Sequence, residues 1–266
     1  SALAHFYAQA FGMDCWENQG VWFCANEGRE VLVSEGQTGK LHYALFAIDN
    51  SAEWDAFKLQ TQNLPQANLR QHPELPGSAI GFLDPDQNCM VFVPASDLLP
   101  PPSNSALNIN AASLPDAESQ HFALRTQQVE NMKRFYTEAL GFTLSDVVKD
   151  DEGQLKACFV RGNEMHHTLA LFGAPVSCFD HQSFETPSWL ELKDWADHMG
   201  KLRIEIVWGV GRHGPGNDVF FMVRDPDGNL AEISSEIEIC KDSRPVGQWK
   251  HEERTLNLWG KAIMRS

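Results

Sequence analysis

The chain has 266 residues, 42% of them hydrophobic and 21% charged, with a formal net charge of −15. That length holds one large or two ordinary domains with real cores, and the composition is that of a folded chain rather than a disordered one. So acidic a chain argues against nucleic acid or an anionic membrane as partner, and no run approaches the roughly 20 apolar residues a membrane span needs. Six cysteines (Cys15, Cys24, Cys89, Cys158, Cys178 and Cys240) form no CxxC pair and no dense framework. They read as buried or free thiols in a reducing cytoplasm, and no signal peptide is visible.

In chain order, residues 1–98 read as an N-terminal module that opens on HFYAQAFGM (5–13) and closes on LDPDQNCMV (83–91). The segment LLPPPSNSALNINAA that follows, with its three successive prolines, marks a linker over 99–114. A second module spans 115–240. It starts with a strand over His121–Thr126 and a helix over Val129–Leu140, whose apolar side carries Met132, Phe135 and Leu140 and whose stop is Gly141. Strands follow at Thr143–Val148, Leu155–Arg161 and His167–Phe172. A second unit repeats the order: strand Asp180–Glu185, helix Leu190–Met199, then strands Ile204–Val207, Asp218–Arg224 and Leu230–Ser234. DPDG makes the last hairpin turn. The reading is an α+β protein of two similar modules, each built of paired βαβββ units, with a tail over 241–266.

The two modules repeat one another. RFYTEALGF (134–142) answers HFYAQAFGM, and RDPDGNLAE (224–232) answers LDPDQNCMV. His121 precedes Gly141 by twenty residues, whereas the matching Gly12 stands too near Ser1 for an equivalent strand. Either that sheet is one strand short or a leading strand precedes Ser1; a further stretch of roughly 10–20 residues is expected there, because an unpaired sheet edge invites aggregation. Aligned on the DPD turns, Val91 of the first copy falls where Glu232 stands in the second, and His42 falls roughly against His181. The chemistry is thus expected in the second copy.

His121 and His181 begin equivalent strands, and Glu232 lies on the last strand of the same cup. Taken alone, each histidine reads as a surface residue or a satisfied core residue. Glu232 reads otherwise, because it stands between apolar strand positions, where an unpaired carboxylate is costly. Two imidazoles and one carboxylate on one face form the set that holds non-haem Fe(II) with open positions left over.

RGNEMHHTLALF (161–172), DHQSFE (180–185) and GRHGPGNDVFFMVRDPDGNLAEI (211–233) together resemble the type I extradiol ring-cleavage dioxygenases of the vicinal oxygen chelate superfamily. The flavour is that of the homoprotocatechuate 2,3-dioxygenase and catechol 2,3-dioxygenase-like branch. The resemblance covers about residues 110–262; residues 1–98 follow only as a degenerate copy of the fold. It implies the vicinal oxygen chelate fold, with His121, His181 and Glu232 as metal ligands. His167 is implied as the acid/base group and His213 as a residue bordering the oxygen and substrate pocket. His166, one position away on a strand, is expected on the opposite face in a structural role. Also implied are Fe(II), with Mn(II) as the alternative metal, O2 as co-substrate, a catechol- or hydroquinone-type aromatic substrate, and a homo-oligomer. In such chemistry electrons pass from ring to oxygen through the metal, while a neutral histidine takes up and returns a phenolic proton.

Three positions depart from the branch. Met222 stands where a tyrosine is usual, Ala123 where a polar side chain is, and Trp208 where an arginine grips a substrate carboxylate. These changes point to a bulkier, more apolar substrate, or to one with its polar group elsewhere, and Arg212 and Arg125 are left as candidate anion binders. For the tail, PVGQWKHEERTLNLWG (245–260), the resemblance implies a lid over the active-site mouth, while the residues alone leave a helix or strand packed elsewhere equally open. Two rival readings keep the fold and change the chemistry: a glyoxalase-like isomerase or lyase using Zn2+, Ni2+ or Mn2+, and a non-catalytic small-molecule-binding protein.

Overall fold

A computed structural model describes residues 1–98, 114–241 and 243–265; the expected linker lies, but for its last residue, outside the described residues. Helix α1 (Ala2–Phe11) leads into an antiparallel sheet of β1 (Asp14–Asn18), β2 (Val21–Asn26) and β3 (Arg29–Ser34). A second three-stranded sheet follows, from β4 (Tyr43–Ile48), α2 (Ser51–Thr61), β5 (Ile80–Leu83) and β6 (Cys89–Pro94), ordered β4-β6-β5.

The C-terminal half carries two βαβββ units. The first is β7 (Glu118–Thr126), α3 (Val129–Arg134), β8 (Thr143–Lys149), β9 (Leu155–Arg161) and β10 (Leu169–Gly173). The second is β11 (Cys178–Glu185), α4 (Trp189–Lys201), β12 (Ile206–Arg212), β13 (Val219–Arg224) and β14 (Leu230–Ser235). The tail adds β15 (Gly247–Lys250) and α5 (Glu253–Leu256). One nine-stranded sheet results, ordered β12-β13-β14-β11-β7-β10-β9-β8-β15. Within each unit the first strand pairs parallel with the last, β7 with β10 and β11 with β14, and the antiparallel β7–β11 seam joins the units.

Local chemistry explains most element boundaries. Ser188 caps α4, its Oγ accepting from the Leu190 N–H at 3.2 Å, and Leu192, Trp195 and Met199 form the buried stripe. The helix expected to run to Leu140 changes character instead, with Phe135–Ala139 forming a π-helical turn before Gly141 at φ +80°. Strand β12 starts later than expected and runs on to Arg212. Strand β10 begins only at Leu169, because the chain before it pairs elsewhere: the His166 N–H bonds the Glu238 carbonyl at 2.8 Å, and Met165 bridges Ile239. All six cysteines are free thiols.

The repeated DPD turns are built alike. Asp84 Oδ1 accepts from the backbone N–H groups of Asp86 and Asn88, both at 2.9 Å, and Asp225 Oδ1 accepts from those of Asp227 and Asn229 at 3.0 and 2.9 Å. Each turn is also gripped by a tyrosine from the other half. Tyr136 beyond α3 donates to Asp84 Oδ2 at 2.9 Å, and Tyr7 of α1 donates to Asp225 Oδ2 at 3.4 Å. The helices are thus exchanged between halves. Phe11 of α1 packs with Phe184, Trp195 and Ile233, while Met132 and Tyr136 pack with Trp54, Phe82 and Phe92. Strand register also corrects the internal alignment. Leu45 stands opposite Val91 as Ser183 stands opposite Glu232, so the counterpart of His181 is Tyr43, not His42. Alignment on the turns missed this because the loops before β4 and β11 differ.

Tyr136 is fully buried. Replacing it by phenylalanine keeps the ring and removes one buried hydrogen bond to a carboxylate, so Tyr136→Phe is expected to lower unfolding stability by about 1–3 kcal/mol. A urea midpoint unchanged from wild type would show that the exchanged tyrosine does not tie the halves together.

Candidate metal centre and its cavity

Register carries His121, His181 and Glu232 to one place. On β11, Ser183 faces His121 of β7 on one side and Glu232 of β14 on the other. One pleat along, His181 faces Ala123 and Leu230. Residues directly opposite share a face, and so do residues two apart, so all these side chains lie on one side of the sheet. Met222 of β13 extends the row beyond Glu232, and Trp208 of β12 extends it beyond Met222.

The three candidate ligands are buried, and their donor atoms lie within 4.8 Å of one another. His121 Nε2 is 3.2 Å from His181 Nε2 and 3.7 Å from Glu232 Oε1. The other nitrogen of each ring is engaged: His121 Nδ1 donates to Gln120 Oε1 at 2.7 Å, and His181 Nδ1 to Asp180 Oδ1 at 2.6 Å. With the proton on Nδ1 alone, each ring would turn an Nε2 lone pair toward the other. Two facing lone pairs and a buried carboxylate are a donor set that fits a cation. Glu232 Oε1 accepts from Ser183 Oγ at 2.8 Å, whereas Oε2 has no hydrogen-bond partner among the described residues.

Electrostatics follow from burial and proximity. Burial takes His121 down to about 3, against the pull of Glu232, and burial with the neighbouring imidazoles takes His167 well below its ordinary value. Both rings are therefore neutral near pH 7. Burial would raise Glu232, but the neighbouring imidazoles of His213, His121 and His181 bring it down to about 2. Asp180 is likewise driven up by burial and overruled: the Arg265 charge and the bond from His181 hold it well below the carboxylate range.

His167 and His213 flank this centre. The His167 ring lies 4.2 Å from that of His121, centre to centre, and His213 Nε2 is 3.5 Å from Glu232 Oε2. His213 is stacked on Phe220 at 3.7 Å, and its Nδ1 donates to the Leu256 carbonyl at 2.5 Å. His166 is not on an opposite strand face, since both histidines precede β10; its Nδ1 lies 3.0 Å from Nδ1 of His167.

His121, His167, His181 and His213 line the cavity with Trp208 and Met222, and Phe159, Phe172, Leu256 and Arg265 complete its wall. Ala123 is buried opposite His181 and does not line it. Neither candidate anion binder is free. Arg125 pairs with Asp180 at 2.5 Å, and Arg212 pairs with Glu236 at 2.6 Å. Arg265, which no motif announced, reaches Asp180 with Nη2 at 2.8 Å and Nε at 3.1 Å and lies 4.8 Å from the Trp208 ring centre. Asp180 itself was legible as the acid adjoining His181 in DHQSFE; a contact from the far end of the chain was not.

Residues 119–233 match the model of the Glyoxalase/Bleomycin resistance protein/Dioxygenase superfamily. Metapyrocatechase 2 of Cupriavidus necator is 30% identical, over 97% of this chain and 85% of its own length. Biphenyl-2,3-diol 1,2-dioxygenase of Paraburkholderia xenovorans is 25% identical, over 88% of this chain and 80% of its own. Homoprotocatechuate 2,3-dioxygenase from Brevibacterium fuscum, in its anaerobic complex with 3,4-dihydroxyphenylacetate, superposes with a TM-score of 0.78 at 22% identity, covering 99% of this chain and 85% of that one. The Mn(II)-bound glyoxalase from Novosphingobium aromaticivorans does so with a TM-score of 0.75 at 22% identity, covering 99% and 87%. These two structures share the fold.

Asp218 adjoins the centre, within 4.8 Å of His213 and Glu232 donor atoms, and neither of its oxygens has a hydrogen-bond partner among the described residues. Burial raises it to about 7, against the pull of His213. A carboxyl raised on folding favours the native state most below its unfolded value near 4, and that advantage is lost as pH rises through about 7. The metal-free Asp218→Asn variant is therefore expected to be more stable than wild type at pH 8, by roughly 1–3 kcal/mol, and to lose that lead toward pH 4. Urea unfolding at the two pH values checks it; a pH-independent difference would mean that Asp218 stays ionised.

Proposed function

The chain belongs to the extradiol ring-cleavage dioxygenases of the glyoxalase/bleomycin resistance protein/dioxygenase superfamily, and we propose that it opens a catechol-type ring at a metal held by His121, His181 and Glu232. One observation carries the assignment of ligands: two imidazole Nε2 lone pairs meet at 3.2 Å beside a buried carboxylate, each ring pinned through Nδ1. Two histidines and one carboxylate suit Fe(II), and Mn(II) accepts the same set. When bound, such a metal supplies open positions for the two ring oxygens and O2 and a path for electrons between them.

The chain's own residues supply the rest. His167, neutral because burial and neighbouring imidazoles lower it, is the base that takes a ring hydroxyl proton and the acid that returns it. His213 is raised despite burial, through Glu232 and Asp218, and offers an N–H on the opposite flank of the centre. Phe159, Phe172, Trp208 and Met222 hold the ring and exclude water. The cation in this wall, Arg265, is already committed to Asp180. The substrate is therefore a catechol with an apolar substituent rather than one carrying a carboxylate. The pairing of His167 and His213 with the triad favours this reading over an isomerase on the same scaffold.

Protein loaded anaerobically with Fe(II) and mixed with substituted catechols is expected to take up O2 and form a coloured ring-opened product when air is admitted. Alkyl- or aryl-substituted catechols should show lower KM than carboxylate-bearing ones. Glu232→Gln is expected to reduce bound metal to background and abolish turnover; normal metal content would remove Glu232 from the ligand set. His167→Asn should keep its metal and lose about 10²–10⁴-fold in kcat. Undiminished turnover would return His167 to a packing role.

A further inference from the structure

Behind His167 lies a second fully buried histidine that the chemistry above does not use. We infer that Asp146 and His166 are positioning residues for His167, fixing its tautomer so that Nδ1 carries the proton and Nε2 offers a lone pair to the cavity. The inference rests on the reading of His167 as the acid/base group.

Asp146 of β8 has no exposed surface. Its Oδ1 accepts from Arg244 Nη1 at 2.8 Å and from the Gly247 N–H at 3.1 Å, and its Oδ2 accepts from Trp249 Nε1 at 2.6 Å. These donors, with His166, hold the carboxyl below its ordinary value even though burial works the other way. His166 Nε2 lies 3.1 Å from Asp146 Oδ2, at an angle outside regular hydrogen-bond alignment, and has no other partner among the described residues. Two lone pairs at that separation, too short to admit a bridging water, would repel. The proton of His166 therefore sits on Nε2.

A neutral imidazole carries one N–H and one acceptor nitrogen. With Nε2 protonated, His166 Nδ1 is an acceptor, and the group 3.0 Å away is His167 Nδ1. One proton is needed between the two nitrogens, and it belongs to His167. The His167 ring lines the cavity, so the lone pair it presents there is on Nε2. No tautomer exchange need then precede proton uptake from a ring hydroxyl.

The backbone around the pair is built for this contact. The His166 N–H bonds the Glu238 carbonyl, and the Glu238 N–H bonds the Gly216 carbonyl, both at 2.8 Å. Gly216 has φ +83°, and a Cβ there would stand 3.3 Å from His166 Nδ1 and 3.2 Å from His167 Cε1. Glycine meets both the conformation and the space.

The test reads protons rather than turnover. Long-range 1H–15N spectra of metal-free, 15N-histidine-labelled protein at pH 8 report which nitrogen of each ring is protonated. The His166 and His167 signals are assigned by their loss in His166→Asn and His167→Asn. Expected are Nε2–H on His166 and Nδ1–H on His167. Nε2–H on His167, or protons on both nitrogens of His166, would overturn the inference, and this measurement on the wild type does not depend on any variant folding. In His166→Asn the shorter side chain no longer reaches His167. Its ring should shift toward Nε2–H, with kcat down roughly tenfold and metal content unchanged; an unmoved tautomer would overturn the inference as well. Failure of the acid/base reading is separable, because full turnover by His167→Asn leaves the wild-type spectrum as it is.

Discussion

The rest of the centre is arranged around one constraint: Glu232 is a carboxylate with no exposed surface in the middle of a nine-stranded sheet. Removing an ion from water costs several kcal/mol even after relaxation, so such a group persists only where the surrounding structure answers its charge. Ser183 answers one oxygen directly and His213 approaches the other. The two nearest imidazoles do not answer it by themselves, since their protons point away, to Gln120 and Asp180. The arrangement is therefore incomplete as a network of protein groups and complete as a cradle for a cation. Strand register makes it so. A one-residue slip of β11 against β7 or β14 would turn Ser183 and His181 to the other face and strand the carboxylate.

The tail supports this centre from outside. Arg244, Gly247 and Trp249 converge on Asp146, behind the His166–His167 pair; the Leu256 carbonyl fixes His213; and Arg265 clamps Asp180, which fixes His181. Residues 243–265 thus reach His213 directly, His181 and His166 through one carboxylate each, and His167 through Asp146 and His166 in turn. A segment that contributes two lining residues of its own, Leu256 and Arg265, contributes more by setting the direction of ring nitrogens, most of which it does not itself touch.

What could be read from the sequence divides along the range of the interaction. The C-terminal strands and helices were legible because apolar alternation and stop signals are local, and the DPD turns because their aspartates bond groups two and four residues on. His121 and His181 could be paired because the repeat puts them on equivalent first strands, and Glu232 stood out as a carboxylate between apolar positions of the last strand. Three features were not legible. Tyr43, rather than His42, answers His181 because cross-strand register is fixed by partners far away in sequence. The contact of His166 with His167 escaped the alternation rule because Glu238, not β9, pairs the backbone of His166. Arg265 carried no signal at all, since its meaning lies in a carboxylate 85 residues earlier.

The two copies show what a buried charge demands of a fold. At the position of Glu232 the first copy has Val91, packed with Cys89, Val93 and Tyr43 in an apolar cluster that needs no donors. Where Ser183 stands beside Glu232, Leu45 stands beside Val91, because a valine leaves no orphaned oxygen to satisfy. The first copy keeps the parts that serve folding. Its turn aspartate grips Tyr136, its helix lends Tyr7 and Phe11 to the other half, and its apolar faces fill a shared core. Strand pairing and turns were retained in both copies, since either half would fail without them. The costly polar network is confined to the copy where a cation can complete it.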